Sequence, residues 1–381
     1  RTAPVPRLGP DRRLPLSLFA IAAAVGLLFA AAYRWYGRFL ARAFGLDDAR
    51  PTPAATINDG VDYVPTRPAI LLGQHFAAIA AVGPIVGPIL AGMHYGWAPG
   101  LVWVALGAIF IGGVHDFAAL VASVRHEARS VAELVNRYIS HRAYVLFLLF
   151  IWLSLLYVIV VFTDLTAAAF VAMPYGPGVA SSSALYLAVA VALGVALYRF
   201  GLPLWLATAV GVPLVGFIIW LGQALPLTVP PLPGGSAQQS WDLIILGYCF
   251  VASIIPIWLL LQPRGYLGAY FLYATFVAGL VGTLLGGVPV EYPASIPRVL
   301  FGFGPGAAFP IFPLLFTTIA CGACSGFHGI VSSGTTSKQL RRETDARMVG
   351  YGGMLLEGFV AVVALATVMM LAPGSEGLTR S

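Results

Sequence analysis

Ten apolar runs of 17 to 30 residues, separated by short charged or Pro/Gly-rich connectors, set the limits on how this 381-residue chain can fold. They lie at about 14–33, 69–92, 97–124, 143–172, 182–198, 203–222, 242–261, 267–287, 310–333 and 348–371. A helix needs roughly 20 apolar residues to cross the hydrocarbon layer, and within lipid the backbone must satisfy its own hydrogen bonds. The chain is 59% hydrophobic and 9% charged, whereas a soluble domain carries about 25% charged residues. The expected fold is therefore all-α: a polytopic membrane bundle of about ten transmembrane helices.

The first run is followed by "RWYGRFLARAF" and not by a small-residue cleavage site, so it reads as a retained span. Cys249, Cys321 and Cys324 all sit in apolar runs, which does not fit a secreted disulfide scaffold. The chain opens on Arg1 and ends soon after its last run, as expected of part of a longer protein.

Alternating the connectors across a bilayer puts Arg34, Arg38, Arg42, Arg50, Arg67, Arg125, Arg129, Arg137, Arg142, Arg199, Arg264, Lys338, Arg341, Arg342 and Arg347 on one side, 15 of the 21 basic residues. Arg1, Arg7, Arg12, Arg13, Arg298 and Arg380 fall on the other. Short loops rich in Arg and Lys stay inside, so the first side is cytoplasmic. Arginines 34, 38 and 42 recur every four residues among aromatics, the pattern of an interfacial helix. Ser130 and Glu133 have capping-box spacing, so a short helix is expected to start there. Neither segment reads as nucleic-acid binding.

Ionisable residues inside the runs carry the functional signal. At 1.5 Å of rise per residue, His75 lies about 9 Å in from its cytoplasmic end, His115 and Asp116 about 12 to 14 Å, and His328 about 8 Å. Glu357 reaches roughly the midplane, and Asp164 is the outer counterpart, about two turns in. A charge at such depth is costly unless paired or hydrated, which marks a transport pathway or a structural ion pair. Both readings stand for each residue.

"GQHFAAIAAVGPIVGPILAG" holds two Gly-Pro pairs. Pro84 and Pro88 lack N–H groups, so the helix is expected to uncoil between Gly83 and Pro88, where only a protein-enclosed or wet cavity tolerates free backbone. The alternative is a small-residue packing face through Gly83 and Gly87 with a simple kink. Pro256 suggests a second interrupted span opening a second block. Five spans separate the two openings, so the blocks read as inverted repeats. The resulting division is 1–68 (first span plus connector), 69–222 (first repeat) and 242–371 (second repeat, incomplete).

The run 317–339 is rich in small polar residues. Ser332, Ser333, Thr335 and Thr336 suit a sodium ion or a substrate carboxylate, or else tight helix packing. Cys321, Cys324 and His328 have a metal-like spacing, but no second Cys pair completes a four-ligand set, so no metal or other cofactor is implied.

The segments "YRWYGRFLARAFGLDDARPTPA", "DGVDYVPTRPAILLGQHFAAIAAVGPIVGPILAG", "IFIGGVHDFAALVASVRH", "VASIIPIWLLLQPRGYL" and "TIACGACSGFHGIVSSGTTSKQL" resemble the carbon starvation protein CstA family. The resemblance implies a multi-pass transporter of the bacterial cytoplasmic (inner) membrane, induced on nutrient limitation, with members linked to pyruvate uptake by proton symport and to peptide use. It also implies a LeuT-like arrangement of inverted repeats. Family members commonly read Gly-His-His-Phe where this chain has Gly73-Gln74-His75-Phe76, so only the second histidine carries over.

The function expected is secondary transport of small carboxylates such as pyruvate, coupled to H+, with Na+ coupling or peptide uptake as alternatives. Gln74, His75, Gly83, Pro84, Gly87, Pro88, His115, Asp116, Asp164, His328, Ser332, Ser333, Thr335, Thr336 and Glu357 are its expected pathway residues. The expected partners are the lipid bilayer and the small-molecule substrate, and the sequence says nothing of oligomeric state. A channel would need a continuous polar pore. An enzyme would need a catalytic constellation, and no H-E-x-x-H, G-x-S-x-G or P-loop is present.

Overall fold

The computed structural model describes residues 17–297 and 310–372. Helix dominates these residues, and the only β-type pairings among them are two isolated bridges, Ser17 with Pro289 and Thr66 with Leu340. In chain order the α-helices are α1 (Leu18–Ala43), α2 (Pro53–Ile57), α3 (Pro68–Ile79), α4 (Gly83–Tyr95), α5 (Trp97–Leu106), α6 (Gly113–Val124), α7 (Val131–Tyr138) and α8 (His141–Val171). They continue as α9 (Gly176–Tyr198), α10 (Leu204–Ala224), α11 (Ala237–Ile254), α12 (Leu261–Gly286), α13 (Leu314–Thr318), α14 (Ala320–Cys324), α15 (Gly326–Val331) and α16 (Gly353–Met369). Wide π-turns at Gly107–Gly112 and Arg347–Gly352 interrupt or lead into two of the spans, and a third, Ser332–Thr336, follows the short helix α15.

Among the described residues seven helices are long and apolar enough to cross a membrane, and the bent pair α3–α4 makes an eighth. This corrects the expectation of ten. The run at 242–261 yields only the 18-residue α11, whose first turns are polar. The run at 310–333 breaks into the short helices α13, α14 and α15.

α1 is also one continuous 26-residue helix, and not a span followed by an interfacial helix. Nothing between Phe29 and Arg34 stops it, because three alanines bridge the gap. Its buried stripe of Val25, Phe29 and Ala32 runs on through Gly37 and Leu40. At Gly37 the Tyr351 ring lies only 3.0 Å from where a Cβ would stand, so the Arg-bearing end is packed on protein. At about 1.5 Å per residue, α1 is roughly 39 Å long, enough to carry its arginines past a hydrocarbon layer about 30 Å thick.

Pro256 does not interrupt a span either. A residue before proline is pushed out of the α region, and Ile255 is extended at φ −81° and ψ 137°, so α11 ends at Ile254. The second broken segment lies instead at α13–α15. Ser130 does cap α7, its Oγ accepting from the Glu133 N–H at 3.4 Å.

The core gathers around α16, whose Met354, Ala361 and Leu365 are fully buried. α1, α4, α5 and α6 pack against it, with Phe29, Ala91, Val104, Phe117 and Ile319 in one apolar cluster. α3 lies along α12 at close range, since Gly265 comes so near the Gln74 backbone that a Cβ would stand 2.6 Å away. α8, α9, α10 and α11 form an outer group with mostly exposed apolar surfaces.

Basic residues meet at one end. Buried Glu343 accepts from Arg125 Nε (2.6 Å), Arg50 Nη1 (3.3 Å) and the Asp47 N–H (2.7 Å), and Lys338 pairs with Asp62 at 3.2 Å. These cations belong to the group expected inside. Arg1, Arg7, Arg12, Arg13, Arg298 and Arg380, expected on the other side, lie outside the described residues.

Candidate functional site

Two broken segments cross at the heart of the molecule, and glycines set how closely. The α3–α4 pair bends by 44° at residues 80–82. The uncoiling precedes Pro84 and does not run from Gly83 to Pro88, as had been expected. Pro84 occupies the first turn of α4, where an N–H would be unbonded anyway. Pro88 sits inside the same helix and forfeits one hydrogen bond.

A Cβ on Gly83 would stand 2.5 Å from Cys321 Sγ, and one on Gly87 would run into the Thr318 carbonyl. Gly322 is held between Pro84 and Ala361. Opposite, the π-turn Gly107–Gly112 wraps the same chain, with Gly107 and Gly112 both against Ala323. The second segment is broken at Ile319 and again at Ser325, which is extended at φ −76° and ψ 125°. The new helix α15 then presents His328.

An acid–imidazole chain results. Asp116 on α6, His328 on α15 and Glu357 on α16 are each fully buried. Asp116 Oδ2 lies 2.9 Å from His328 Nδ1, and its Oδ1 lies 3.0 Å from Nδ1 of the more exposed His115. His328 Nε2 is 3.2 Å from Glu357 Oε2, an ion-pair distance but off the line a hydrogen bond needs, so neither atom has a hydrogen-bond partner. Cys321 Sγ donates weakly to Glu357 Oε1 at 3.8 Å. Taking an isolated ion out of water costs several kcal/mol, so two buried carboxylates need the charge of the imidazole between them.

His75 forms a neighbouring station. Its Nδ1 meets Thr336 Oγ1 at 2.9 Å, while its buried Nε2 has no partner. The Gln74 Oε1 and Ser332 Oγ atoms are buried and unpartnered as well. Buried polar atoms are normally satisfied, so each of these three could take a hydrogen bond from water or a guest.

Other expected pathway residues fall elsewhere. Asp164 is exposed on α8 and accepts from Gln238 Nε2 at 2.7 Å, so it is no part of the buried chain. α8 turns that face outward because its sequence is apolar all round and gives no preference. Ser333 is occupied structurally: its Oγ donates to the Gly329 carbonyl (2.7 Å) and accepts from the Val131 N–H (3.2 Å). Thr335 is half-buried, and its carbonyl takes a bond from Gln339 at 3.1 Å. Two clefts of about 660 and 690 Å³ lie at the loop-rich end, beside Arg125 with Glu343 and beside Arg42 with Arg347, and neither is lined by Asp116, His328 or Glu357.

Sequence reasoning missed Cys321 as a neighbour of Glu357. It also missed a polar latch in which buried Gln262 donates to Thr66 Oγ1 (2.7 Å) and Gln339 Oε1 (2.6 Å) and accepts from Tyr198. The available signal was an amide inside an apolar run, "LLLQPRGY", which must find partners.

The profile of the family described as carbon starvation protein CstA matches residues 16–378. The peptide transporter CstA of Escherichia coli (strain K12) is 38% identical over 364 residues, covering 94% of this chain and 51% of that protein. The peptide transporter CstA of Helicobacter pylori (strain J99) is 38% identical over 359 residues, 92% of this chain and 51% of the relative. The pyruvate/proton symporter BtsT of Escherichia coli (strain K12) is 36% identical over 365 residues, 94% and 50% of the two chains. The chain thus spans about half the length of these relatives. No solved structure matches it.

Proposed function

We propose, because this chain belongs to the carbon starvation protein CstA family, that it is the membrane part of a proton-coupled secondary transporter for small carboxylates such as pyruvate. It is a multi-pass membrane protein, and its expected place is the bacterial cytoplasmic membrane. One observation carries the reading: the buried chain Asp116–His328–Glu357 lies where two broken helices cross.

Proton counting gives the mechanism. Two carboxylates and one imidazole are electrically neutral together when they hold two protons, one on the imidazole and one on a carboxyl. Losing one proton leaves a buried negative charge, which a low-dielectric interior disfavours. The cluster therefore takes up a proton and keeps it until its surroundings become wet. His115, 44% exposed and bonded to Asp116, is the link to water. His75, opposite Thr336, is a second imidazole in a neighbouring element.

The substrate carboxylate is placed at the start of α4. Pro84 has no N–H and the Ile85 and Val86 N–H groups already bond to the Val82 carbonyl, so it is the positive end of the helix dipole, and not a set of free donors, that draws an anion there. That end lies against the second broken segment at Cys321, next to the proton-holding pair. Here the helix restarts at Gly83, one turn earlier than expected from the sequence.

Full-length protein in proteoliposomes should take up labelled pyruvate when an inward proton gradient is imposed, with or without sodium. Uptake that survives collapse of the gradient defeats proton coupling, and dependence on sodium points instead to the hydroxyl run. Peptide uptake is the second reading, favoured by the name the Escherichia coli relative carries. Counterflow with alanine dipeptide against pyruvate separates the two.

A further inference from the structure

Cys321, His328 and Glu357 each aim one atom at a common centre between the second broken segment and α16, and these atoms lie within 4.8 Å of one another. His328 Nε2 and Glu357 Oε2 are 3.2 Å apart, and Cys321 Sγ is 3.8 Å from Glu357 Oε1. A tetrahedral ion with nitrogen and oxygen ligands at about 2.0 to 2.1 Å and sulfur at about 2.3 Å holds neighbouring ligands about 3.3 to 3.6 Å apart. The His328–Glu357 separation is close to that spacing, Cys321 reaches the other oxygen of the same carboxylate, and the widest of the three separations, up to 4.8 Å, has to shorten when an ion binds.

Two further features point to a ligand. His328 Nε2 and Glu357 Oε2 are both buried and lack hydrogen-bond partners, although they face each other. The other ring nitrogen of His328 is held by Asp116 at 2.9 Å. A carboxylate behind a histidine fixes ring and tautomer so that the far nitrogen presents its lone pair to a metal. Cys321 is partly exposed and so leaves an approach open.

The objection raised by sequence spacing, that Cys321, Cys324 and His328 lack a fourth ligand, also changes character. Cys324 stands outside the group, and Glu357 from another helix takes its place. Three protein ligands and one open position are the pattern of zinc sites that keep a water or substrate in the fourth place, not of structural ones.

We propose that Cys321, His328 and Glu357 form a binding site for a borderline-soft divalent cation of the zinc class. The thiolate and imidazole select against Mg2+ and Ca2+, which prefer all-oxygen shells. Binding takes a thiolate, a neutral imidazole and a carboxylate, so the thiol proton and any proton shared by His328 and Glu357 leave for solvent, and affinity rises with pH. The bound ion pins α14 and α15 to α16. None of this depends on the transport reading, and its test measures binding alone.

Full-length protein in detergent is titrated with Cd2+ while the cadmium–thiolate charge-transfer absorbance is followed, and Zn2+ is then added as competitor. The band should saturate at one equivalent, be displaced by Zn2+, vanish in Cys321→Ser and persist in Cys324→Ser. Asp116→Asn should weaken binding by about 10- to 100-fold, the usual effect of losing a carboxylate behind a metal-bound histidine. X-ray absorption of the zinc-loaded wild type, which needs no variant, should report one sulfur among nitrogen and oxygen neighbours. Absence of the band in wild type, an unchanged band in Cys321→Ser, a zinc shell without sulfur, or full affinity in both His328→Asn and Glu357→Gln would each overturn the proposal.

Discussion

Among the described spans the most apolar helix, α8, is also the least buried. No residue in its 18-residue apolar window is buried, whereas 67% are buried in the corresponding windows of Trp97–Val124 and Glu343–Met369. In water this order would be reversed. Lipid removes the cost of exposing a leucine, so packing in the inner spans must come from close fit and polar partners. The inner spans accordingly hold Asp116 and Glu357, two of the three π-turns, and glycines set against neighbouring backbone, whereas α8 has neither a glycine nor a π-turn, and α9 and α10 have tight glycines only where they meet their own neighbours, as at Gly194 and Gly222.

This contrast can be broken by substitution. The largest effect is expected for Asp116→Ala, which leaves His328 and Glu357 buried without their partner. It should cost about 3 to 5 kcal/mol, read as a lower melting temperature of the full-length protein, and abolish gradient-driven uptake. Wild-type uptake by this variant would remove the cluster from the mechanism.

Gly87→Ala places a methyl group on the Thr318 carbonyl, and overpacking of that kind costs about 1 to 3 kcal/mol. Gln262→Leu strips Thr66 and Gln339 of a buried donor, at about 1 to 3 kcal/mol. A Gln262→Leu melting curve matching wild type would show that water replaces the latch.

The outer group should respond in the opposite sense. Gly216 on α10 has open space where a Cβ would go, so Gly216→Ala should stabilise by about 0.5 to 1 kcal/mol. Destabilisation there would mean that this face of α10 is covered in the membrane. The smallest effect is expected for Asp164→Asn, within about 0.5 kcal/mol and with unchanged uptake, since Gln238 can still donate to the amide oxygen.

Much of the bundle was legible because hydropathy and charge are local properties. The helical runs, the basic cluster of Arg50, Arg125 and Lys338 at one end, and the position of Asp116, His328 and Glu357 inside apolar runs all follow from counting along the chain. What escaped was decided by neighbours distant in sequence. Pro84 and Pro88 look alike in a string of letters, yet one opens α4 and the other rides inside it. Asp164 and Asp116 both interrupt apolar runs, but only Asp116 finds a histidine across a helix boundary. Pro256 resembled a mid-span break and proved to be a helix terminator, because the surrounding turn bonds to the Val61 loop.

The π-turn at Gly107–Gly112 has one more consequence. Such a turn is an α-helix with a residue to spare, and each added residue swings everything downstream by about 100° around the axis. Asp116 faces His328 by virtue of that surplus. Deleting one glycine from the stretch would leave every other amino acid unchanged and aim the carboxylate at a different neighbour, so the length of this segment is as much a determinant of the site as its chemistry.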